Sequence, residues 1–293
     1  MTGGDVTGGR APSAVPLLTP PRVRALLAEH RLVPRRSLGQ TFLADPNTAR
    51  KVARLGGARP GLAVLEIGAG LGSLTLALRE AGARVVAVEL DARLVPVLER
   101  VLGGDRGVRV ERADALDADL AALAPDATTV IANLPYRVAA TIVLRILERF
   151  DRFTDLTVMV QREVGERLVA PPASGAYGAV SVKLAALAEA RVVAAIGRRV
   201  FVPEPHVDSV LVQARRRPHP ALAGGSYEGF ARVVEAAFGQ RRKTLRNALR
   251  TLGAGAAEVQ AACVAAGVDP GTRAERLDVA AFARLAAAFR PRA

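Results

Sequence analysis

The chain has 293 residues, half of them hydrophobic, which is enough to bury a sizeable core in one large and one smaller domain. Its net charge of +13 and pI near 11.2 make nucleic acid the first expected partner, with a general arginine bias as the alternative explanation. The single Cys263 excludes an internal disulfide framework, and no apolar run reaches the length of a membrane span. Residues 1–9 lack the regions of a signal peptide, so we expect a cytoplasmic location and no membrane partner.

The first two thirds of the chain alternate between strand and helix patterns. Residues 1–20 are rich in Gly, Pro and Ala and are predicted to be disordered. A short helix over 21–30 and a basic loop to residue 43 precede a helix that begins near Asp45. Strands are then predicted near 64–67, 85–88, 108–111, 129–132, 156–160, 191–196 and 210–213. Their continuous apolar runs indicate strands covered on both faces, and therefore an α/β fold with a mainly parallel sheet.

The composition changes near residues 215–225, where arginines, prolines and glycines indicate a linker. Helices are predicted beyond it, at about 227–238, 241–252, 258–266 and 279–289. Cys263 lies in this alanine-rich part and is predicted to be a small core residue. We therefore expect a tail over 1–20, a larger domain over 21–215 and a small all-helical domain over 216–293.

The first strand leads into a glycine turn, Gly68-Ala69-Gly70-Leu71-Gly72, which is followed by a helical pattern. Strand, glycine turn and helix form the layout of a nucleotide-binding unit, in which glycine lets the backbone approach a ligand closely. A dinucleotide fingerprint would need its third glycine at position 73, which is Ser73. The turn is instead typical of the methionine-end pocket of an S-adenosylmethionine (SAM) methyltransferase.

Acidic side chains follow the next two predicted strands. Glu89 comes at the end of the second strand, where a carboxylate can accept hydrogen bonds from both ribose hydroxyls of a nucleoside; capping the next helix is the alternative. Asp114 follows the third strand and could accept from an adenine amino group, although Asp is common in turns. Glu66, inside the first strand, could support the turn or a ligand ammonium group, and a purely structural role is equally compatible.

The stretch Asn133-Leu134-Pro135-Tyr136 follows the fourth strand. An adenine amino group is a poor nucleophile, and an enzyme can turn its lone pair toward an electrophile by accepting both N–H bonds. The Asn133 amide oxygen and the Leu134 carbonyl could supply these acceptors, with Pro135 stiffening the loop and Tyr136 stacking on an everted base. The sulfonium of SAM is already activated, so neither a metal nor a strong base is needed. An ordinary strand-end turn is the alternative.

Two other features could serve a nucleic-acid substrate. Phe201 could be a second stacking face or an aromatic anchor of its proline-rich loop. Basic residues cluster at Arg241, Arg242, Lys243 and Arg246, where they could contact phosphates or be a solvated helix face.

Together these motifs resemble the small-subunit rRNA adenine N6,N6-dimethyltransferases over nearly the whole chain after residue 20. The resemblance includes Leu38–Leu43, Glu66–Gly72, Asn133–Tyr136, Ala176–Gly178, Val207–Ser209 and, most specifically, Ala237–Asn247. It implies a Rossmann-like class I SAM-dependent methyltransferase domain with a small helical rRNA-binding domain. It also implies dimethylation of two adjacent adenines in the 3′-terminal hairpin of 16S rRNA within an immature 30S subunit, by an enzyme expected to be monomeric.

Carried over by position, the resemblance puts SAM contacts at Thr41, Leu43, Gly68, Glu89, Asp114 and Asn133, with Gly70 in the same glycine turn. The resemblance implies that the target base is held by Asn133, Leu134 and Tyr136, with Phe201 as a second stacking partner.

Two residues depart from the family pattern, because Thr41 and Arg137 stand where the family usually has Asn. Three alternatives remain: an erythromycin-resistance-type 23S rRNA methyltransferase, a weakly catalytic or non-catalytic rRNA-binding assembly factor, and a small-molecule methyltransferase. The first lacks the segment around Arg241–Lys243, and the last explains the charge poorly.

Overall fold

The computed structural model describes residues 15–35, 38–240 and 242–289. In chain order the elements are α1 (Pro20–Glu29), β1 (Phe42–Leu43), α2 (Pro46–Leu55), β2 (Ala63–Ile67), α3 (Ser73–Glu80), β3 (Arg84–Glu89), α4 (Val95–Leu102), β4 (Val108–Arg112), α5 (Leu120–Leu123), β5 (Thr129–Asn133), α6 (Ala139–Arg149), β6 (Asp155–Gln161), α7 (Arg162–Leu168), α8 (Ala179–Leu187), β7 (Ala188–Ile196), β8 (Phe201–Val202), β9 (Ser209–Arg216), α9 (Tyr227–Gly239), α10 (Leu245–Ala248), α11 (Ala256–Ala266) and α12 (Val279–Ala288). Short 3₁₀ turns occur at Arg198–Val200, Leu249–Leu252 and Ala274–Arg276.

The chain divides into two compact units. The N-terminal unit consists of the residues up to Asn133 together with Arg199–Pro205, and the C-terminal unit consists of Leu134–Arg198 and the residues from His206 on. The predicted tail over 1–20 lies outside the described residues up to residue 14, whereas Leu18 is buried and Pro20 begins α1.

In the N-terminal unit four strands run parallel in the order β4-β3-β2-β5. Val64 of β2 lies opposite Val85 of β3 and Thr129 of β5. The inner strands are buried on both faces, which is why their sequences are continuous apolar runs, while the edge strand β4 is partly exposed. Beside this sheet, β1 pairs antiparallel with β8. The α/β fold predicted from the sequence is confirmed.

In the C-terminal unit β9 lies between β6 and β7 and is antiparallel to both. The helices that follow bury a second core, in which Phe230, Leu245, Cys263 and Phe282 are each at most 1 % exposed. Burying each large apolar side chain contributes roughly 1.5–3 kcal/mol. The prediction that Cys263 is a core residue is confirmed.

The helix expected over 241–252 is shorter than predicted. Helix α9 ends at Gly239, the Lys243 N–H donates to the Gln240 carbonyl in a turn, and α10 begins only at Leu245. The N–H groups of Leu245 and Arg246 donate to the carbonyls of Thr272 and Pro270, so the new helix starts against a later loop. The expectation that Arg242 and Lys243 line one helical segment was therefore wrong, and Arg241 lies outside the described residues.

Sequence reasoning also missed five elements, namely the short strands β1 and β8 and the helices α5, α7 and α8. In the described ranges, no helix combines the length and the apolar character that crossing a membrane would take.

Candidate functional site

The glycine turn after β2, called the glycine loop here (Gly68–Gly72), has a backbone that suits glycine. Gly68, Gly70 and Gly72 have φ values of +76°, +59° and +89°, a region that L side chains rarely adopt. A Cβ on Gly72 would lie 2.8 Å from Leu98 Cδ1, and one on Gly70 would lie 3.2 Å from Phe42 Cδ1. The backbone of the loop therefore lies close to Leu98 and Phe42. Gly72 is the residue directly before helix α3.

Glu89 is held by the glycine loop. It ends β3 and is 7 % exposed. Its Oε2 accepts from the Gly70 N–H at 2.8 Å, and its Oε1 accepts from the Asp91 N–H at 2.8 Å. Burial raises the pKa of this carboxyl, and the backbone donors oppose that rise. Each carboxylate oxygen can in general accept more than one hydrogen bond, so these backbone donors do not use up the acceptor capacity of Glu89.

Asp114 stands after β4 in a turn, where its Oδ1 accepts from the Leu116 N–H at 2.8 Å. One carboxylate oxygen of Asp114 therefore stabilises the turn, as the structural alternative in the sequence analysis expects. The other oxygen makes no hydrogen bond within the described residues and remains able to accept from a ligand.

The residues predicted at positions 41, 43 and 201 come together in the N-terminal unit. Leu43 of β1 lies opposite Phe201 of β8, and the Leu43 carbonyl accepts a hydrogen bond from the Ser73 hydroxyl, which follows the glycine loop. Thr41 is half-buried at the start of this segment. Phe201 is only 2 % exposed, so its ring anchors the β1–β8 pair, and stacking on a base would require the ring to become accessible.

Asn133 ends β5 and carries an unusual polar atom. Its Oδ1 is buried and accepts no hydrogen bond from any described residue. Leaving a buried acceptor unpaired costs about 1–3 kcal/mol. Such an atom is commonly retained where a bound ligand supplies the missing donor.

Leu134, Pro135 and Tyr136 belong to the C-terminal unit. The Leu134 N–H donates to the Met159 carbonyl at 3.0 Å, and the Pro135 carbonyl accepts from the Val138 N–H at 3.2 Å. The Tyr136 hydroxyl lies 3.4 Å from Ser209 Oγ, and its ring is half-buried. These contacts fix the backbone on both sides of Pro135.

Glu66 and Asp91 are buried carboxyls of the N-terminal unit whose pKa values are shifted in opposite directions. Glu66 is 1 % exposed, its Oε2 has no partner among the described residues, and burial raises its pKa to about 8. Asp91 is 4 % exposed, and hydrogen bonds from the Arg93 side chain hold its pKa far below its ordinary value. Sequence reasoning missed Asp91, although its spacing two residues after Glu89 was a signal.

The basic cluster is exposed where it is described. Arg242, Lys243 and Arg246 are on the surface, and Arg246 donates to Gln260 Oε1 at 2.9 Å. None of these three forms an ion pair with an acid in the part of the chain that the structure describes. Their charge is thus available to an external anion. Arg241 cannot be placed with them, because it lies outside the described residues.

The fold and the glycine loop define a nucleotide-binding α/β class of protein, and solved structures refine it. A dimethyladenosine transferase from Plasmodium falciparum matches 83 % of this chain and 95 % of its own at a TM-score of 0.68, which at 21 % identity supports the fold alone. The 23S rRNA methyltransferase ErmE matches 84 % of this chain and 98 % of its own at a TM-score of 0.62 and 30 % identity.

The family model for ribosomal RNA adenine dimethylase matches residues 32–290, and the chain belongs to that family. The ribosomal RNA small subunit methyltransferase A of Thermobifida fusca is 46 % identical over 92 % of this chain and 95 % of its own. Identity is thus higher to a small-subunit enzyme than to the 23S enzyme, which favours the main prediction over the erythromycin-resistance type. The family and its structural neighbours are SAM-dependent methyltransferases. In the described ranges no group of three or more His, Cys, Asp or Glu side chains could hold a metal ion.

Proposed function

We propose that this protein transfers methyl groups from SAM to the N6 atoms of two adjacent adenines in the 3′-terminal hairpin of 16S rRNA. The single observation that carries the proposal is the buried, unpaired Asn133 Oδ1 at the end of β5. It is a preformed acceptor at the position where the family motif requires one.

The N-terminal unit supplies the residues for the cofactor. Gly68 and Gly70 would admit the methionine end of SAM close to the backbone, and Glu89 would accept from the ribose hydroxyls. Asp114 would accept from the adenine amino group through its free oxygen, and Thr41 and Leu43 would cover the ligand. When bound, SAM supplies an electrophilic methyl group, so no metal is needed. The buried acceptor Glu66 would face the methionine ammonium group or stabilise the turn.

The target base would be held by the Asn133-Leu134-Pro135-Tyr136 motif. The Asn133 amide oxygen and the Leu134 carbonyl would accept the two N6–H bonds and turn the nitrogen lone pair toward the methyl group. Tyr136 would stack on the everted base, Pro135 would keep the loop rigid, and Phe201 would stack on the other face once accessible. The rate would come from alignment of the two reactants, because the sulfonium of SAM is already activated and requires no strong base.

The substrate would be an immature 30S subunit, bound through phosphates by Arg241, Arg242, Lys243 and Arg246 in the helical domain proposed for 216–293. A monomer suffices for this arrangement, and an rRNA substrate implies action in the cytoplasm.

The test is mass spectrometry of 16S rRNA fragments from a strain that lacks the gene. We expect dimethyladenosine at two adjacent 3′-hairpin adenines to disappear and to return when wild type, but not Asn133→Ala, is added back. Unchanged methylation in the deletion strain would contradict the proposal, as would loss confined to a 23S adenine. A protein that binds 30S subunits but transfers no methyl group in vitro would instead be an assembly factor.

A further inference from the structure

Asp91, on the loop after β3, is a fixed point beside the proposed ribose carboxylate. Its Oδ2 lies 2.6 Å from Arg93 Nη2 and its Oδ1 lies 3.0 Å from Arg93 Nε. Its backbone N–H donates to Glu89 Oε1 at 2.8 Å. A charge buried this deeply must be paired, and Arg93 supplies the partner. The backbone bond separately links Asp91 to Glu89.

Gln40 links the loop around residues 35–40 to Asp91, which lies 51 positions later in the chain. Its Nε2 donates to Asp91 Oδ2 at 2.8 Å, while its Oε1 accepts from the Arg35 N–H at 2.7 Å. The Gln40 N–H also donates to the Arg35 carbonyl at 3.2 Å. Both ends of the amide are therefore engaged, and the contact with Asp91 is charge-assisted.

The segment 41–43 is held at both of its ends. Gln40 fixes one end on Asp91, and the β1–β8 pair with the Ala44 N–H to Val200 carbonyl bond of 2.8 Å fixes the other. Phe42, within β1, lies beside the glycine loop, since a Cβ on Gly70 would be 3.2 Å from Phe42 Cδ1. Arg35, whose Nη1 lies 4.0 Å from Asp91 Oδ1, is itself bonded to Gln40, so loss of the Gln40 side chain loosens this end. The β1–β8 pair and the Ser73–Leu43 bond would still hold the other end.

We propose that Gln40 is a positioning residue that holds segment 41–43 against the glycine loop before SAM arrives, and so sets the affinity for SAM. The inference rests on the proposed function. Because Gln40 acts through Asp91 and the segment, its loss raises the dissociation constant and leaves the methyl-transfer step itself intact. A preordered segment spares the ligand the entropy of ordering it.

The test compares Gln40→Leu, which removes the amide, with Gln40→Asn, which keeps it one methylene too short. Glu80→Gln is the control, because it removes a contact with Arg50 that is exposed on both sides in the same unit. By calorimetry we expect SAM to bind Gln40→Leu about tenfold more weakly, the scale of one charge-assisted hydrogen bond. The SAM dissociation constant of Gln40→Asn should lie between those of wild type and Gln40→Leu. That of the control should be within twofold of wild type.

Hydrogen exchange of the unliganded proteins gives a readout independent of activity. Amides 41–43 should exchange faster in Gln40→Leu than in wild type and should become equally protected at saturating SAM. The KM for SAM should rise in proportion to the dissociation constant, with kcat within about threefold. Unchanged exchange in the unliganded variant overturns the inference, as does a SAM affinity within twofold of wild type. Absence of SAM binding by the wild type would overturn the proposed function and the inference with it, whereas a failure of the variants alone overturns only the inference.

Discussion

The two units differ in whether every buried polar side-chain atom of the described residues finds a hydrogen-bond partner. In the described residues, the buried side-chain polar atoms without a hydrogen bond are His30 Nε2, Glu66 Oε2, Thr75 Oγ1 and Asn133 Oδ1, and all four belong to the N-terminal unit. In the C-terminal unit the Tyr177 hydroxyl donates to the Leu277 carbonyl at 2.8 Å, and the Ser181 hydroxyl donates to the Arg167 carbonyl at 2.6 Å. The N-terminal unit thus leaves buried polar atoms unpaired, which under the proposed function are reserved for a ligand, whereas these two groups of the C-terminal unit fix its own core.

The largest effect should come from the reserved acceptor at the end of β5. Asn133→Ala removes one of the two proposed acceptors of the N6–H bonds, and we expect kcat on undermethylated 30S subunits to fall by about 10²–10³, the scale seen when one preorganised hydrogen-bonding group is deleted. Thermal stability should not decrease, since no described partner loses a bond. Asn47→Ala, at an exposed position of α2, is the control. A fall in kcat below tenfold would show that the unpaired oxygen is not used on the substrate.

The pH dependence of stability tests the environment of Glu66, another buried group with an unpaired oxygen in the N-terminal unit. Its folded-state pKa of about 8 lies above the ordinary value of 4.5, so the folded state holds a proton that the unfolded state releases. Stability should therefore decline as pH rises from about 4.5 to 8 and then level off. Glu66→Gln should remove this contribution to the slope and be more stable than wild type at pH 8, by up to a few kcal/mol.

The measurement for Glu66→Gln is urea unfolding at several pH values, with the exposed Glu80→Gln as control. Equal pH slopes for Glu66→Gln and wild type would mean that Glu66 is ionised in the folded protein.

A pair of glycines, one in each unit, separates backbone strain from close approach. Gly72 and Gly253 have φ values of +89° and +83°, but only a Cβ on Gly72 would meet another atom, Leu98 Cδ1 at 2.8 Å. We expect Gly253→Ala to cost about 1 kcal/mol from strain alone, and Gly72→Ala to cost about 1–3 kcal/mol more from overpacking. Urea unfolding of both variants gives the difference, and equal losses would mean that the Gly72 site relaxes freely.

The smallest effect should come from the exposed cations of the C-terminal unit. Replacing Arg242 and Lys243 together by Ala should weaken 30S binding about tenfold and lower the salt dependence by about two charges, with stability within about 0.5 kcal/mol of wild type. Binding titrations at several salt concentrations measure this, with Arg22→Ala on the exposed face of α1 as control. If the control lowers the salt slope by as much per charge removed, the cluster is only a solvated surface.

The sequence was most informative where one residue type has a single use. The glycine loop and the apolar strands were predictable because glycine at positive φ and continuous β-branched runs have few alternatives. The turn at Arg242 and Lys243 was not predictable, because its cause is a contact of Leu245 and Arg246 with a loop more than twenty residues later. The Gln40–Asp91 contact spans 51 positions, and neither residue type alone indicates a partner at that distance.

The buried position of Cys263 makes the chain convenient for site-specific labelling. The thiol is 0 % exposed, and burial raises its pKa, so little thiolate forms at neutral pH. A cysteine introduced at the exposed Val264 or Val33 would therefore react with a maleimide dye or a photocrosslinker while Cys263 stays unmodified. Neighbours of the protein on a ribosomal particle could then be mapped one attachment point at a time, without first building a cysteine-free background.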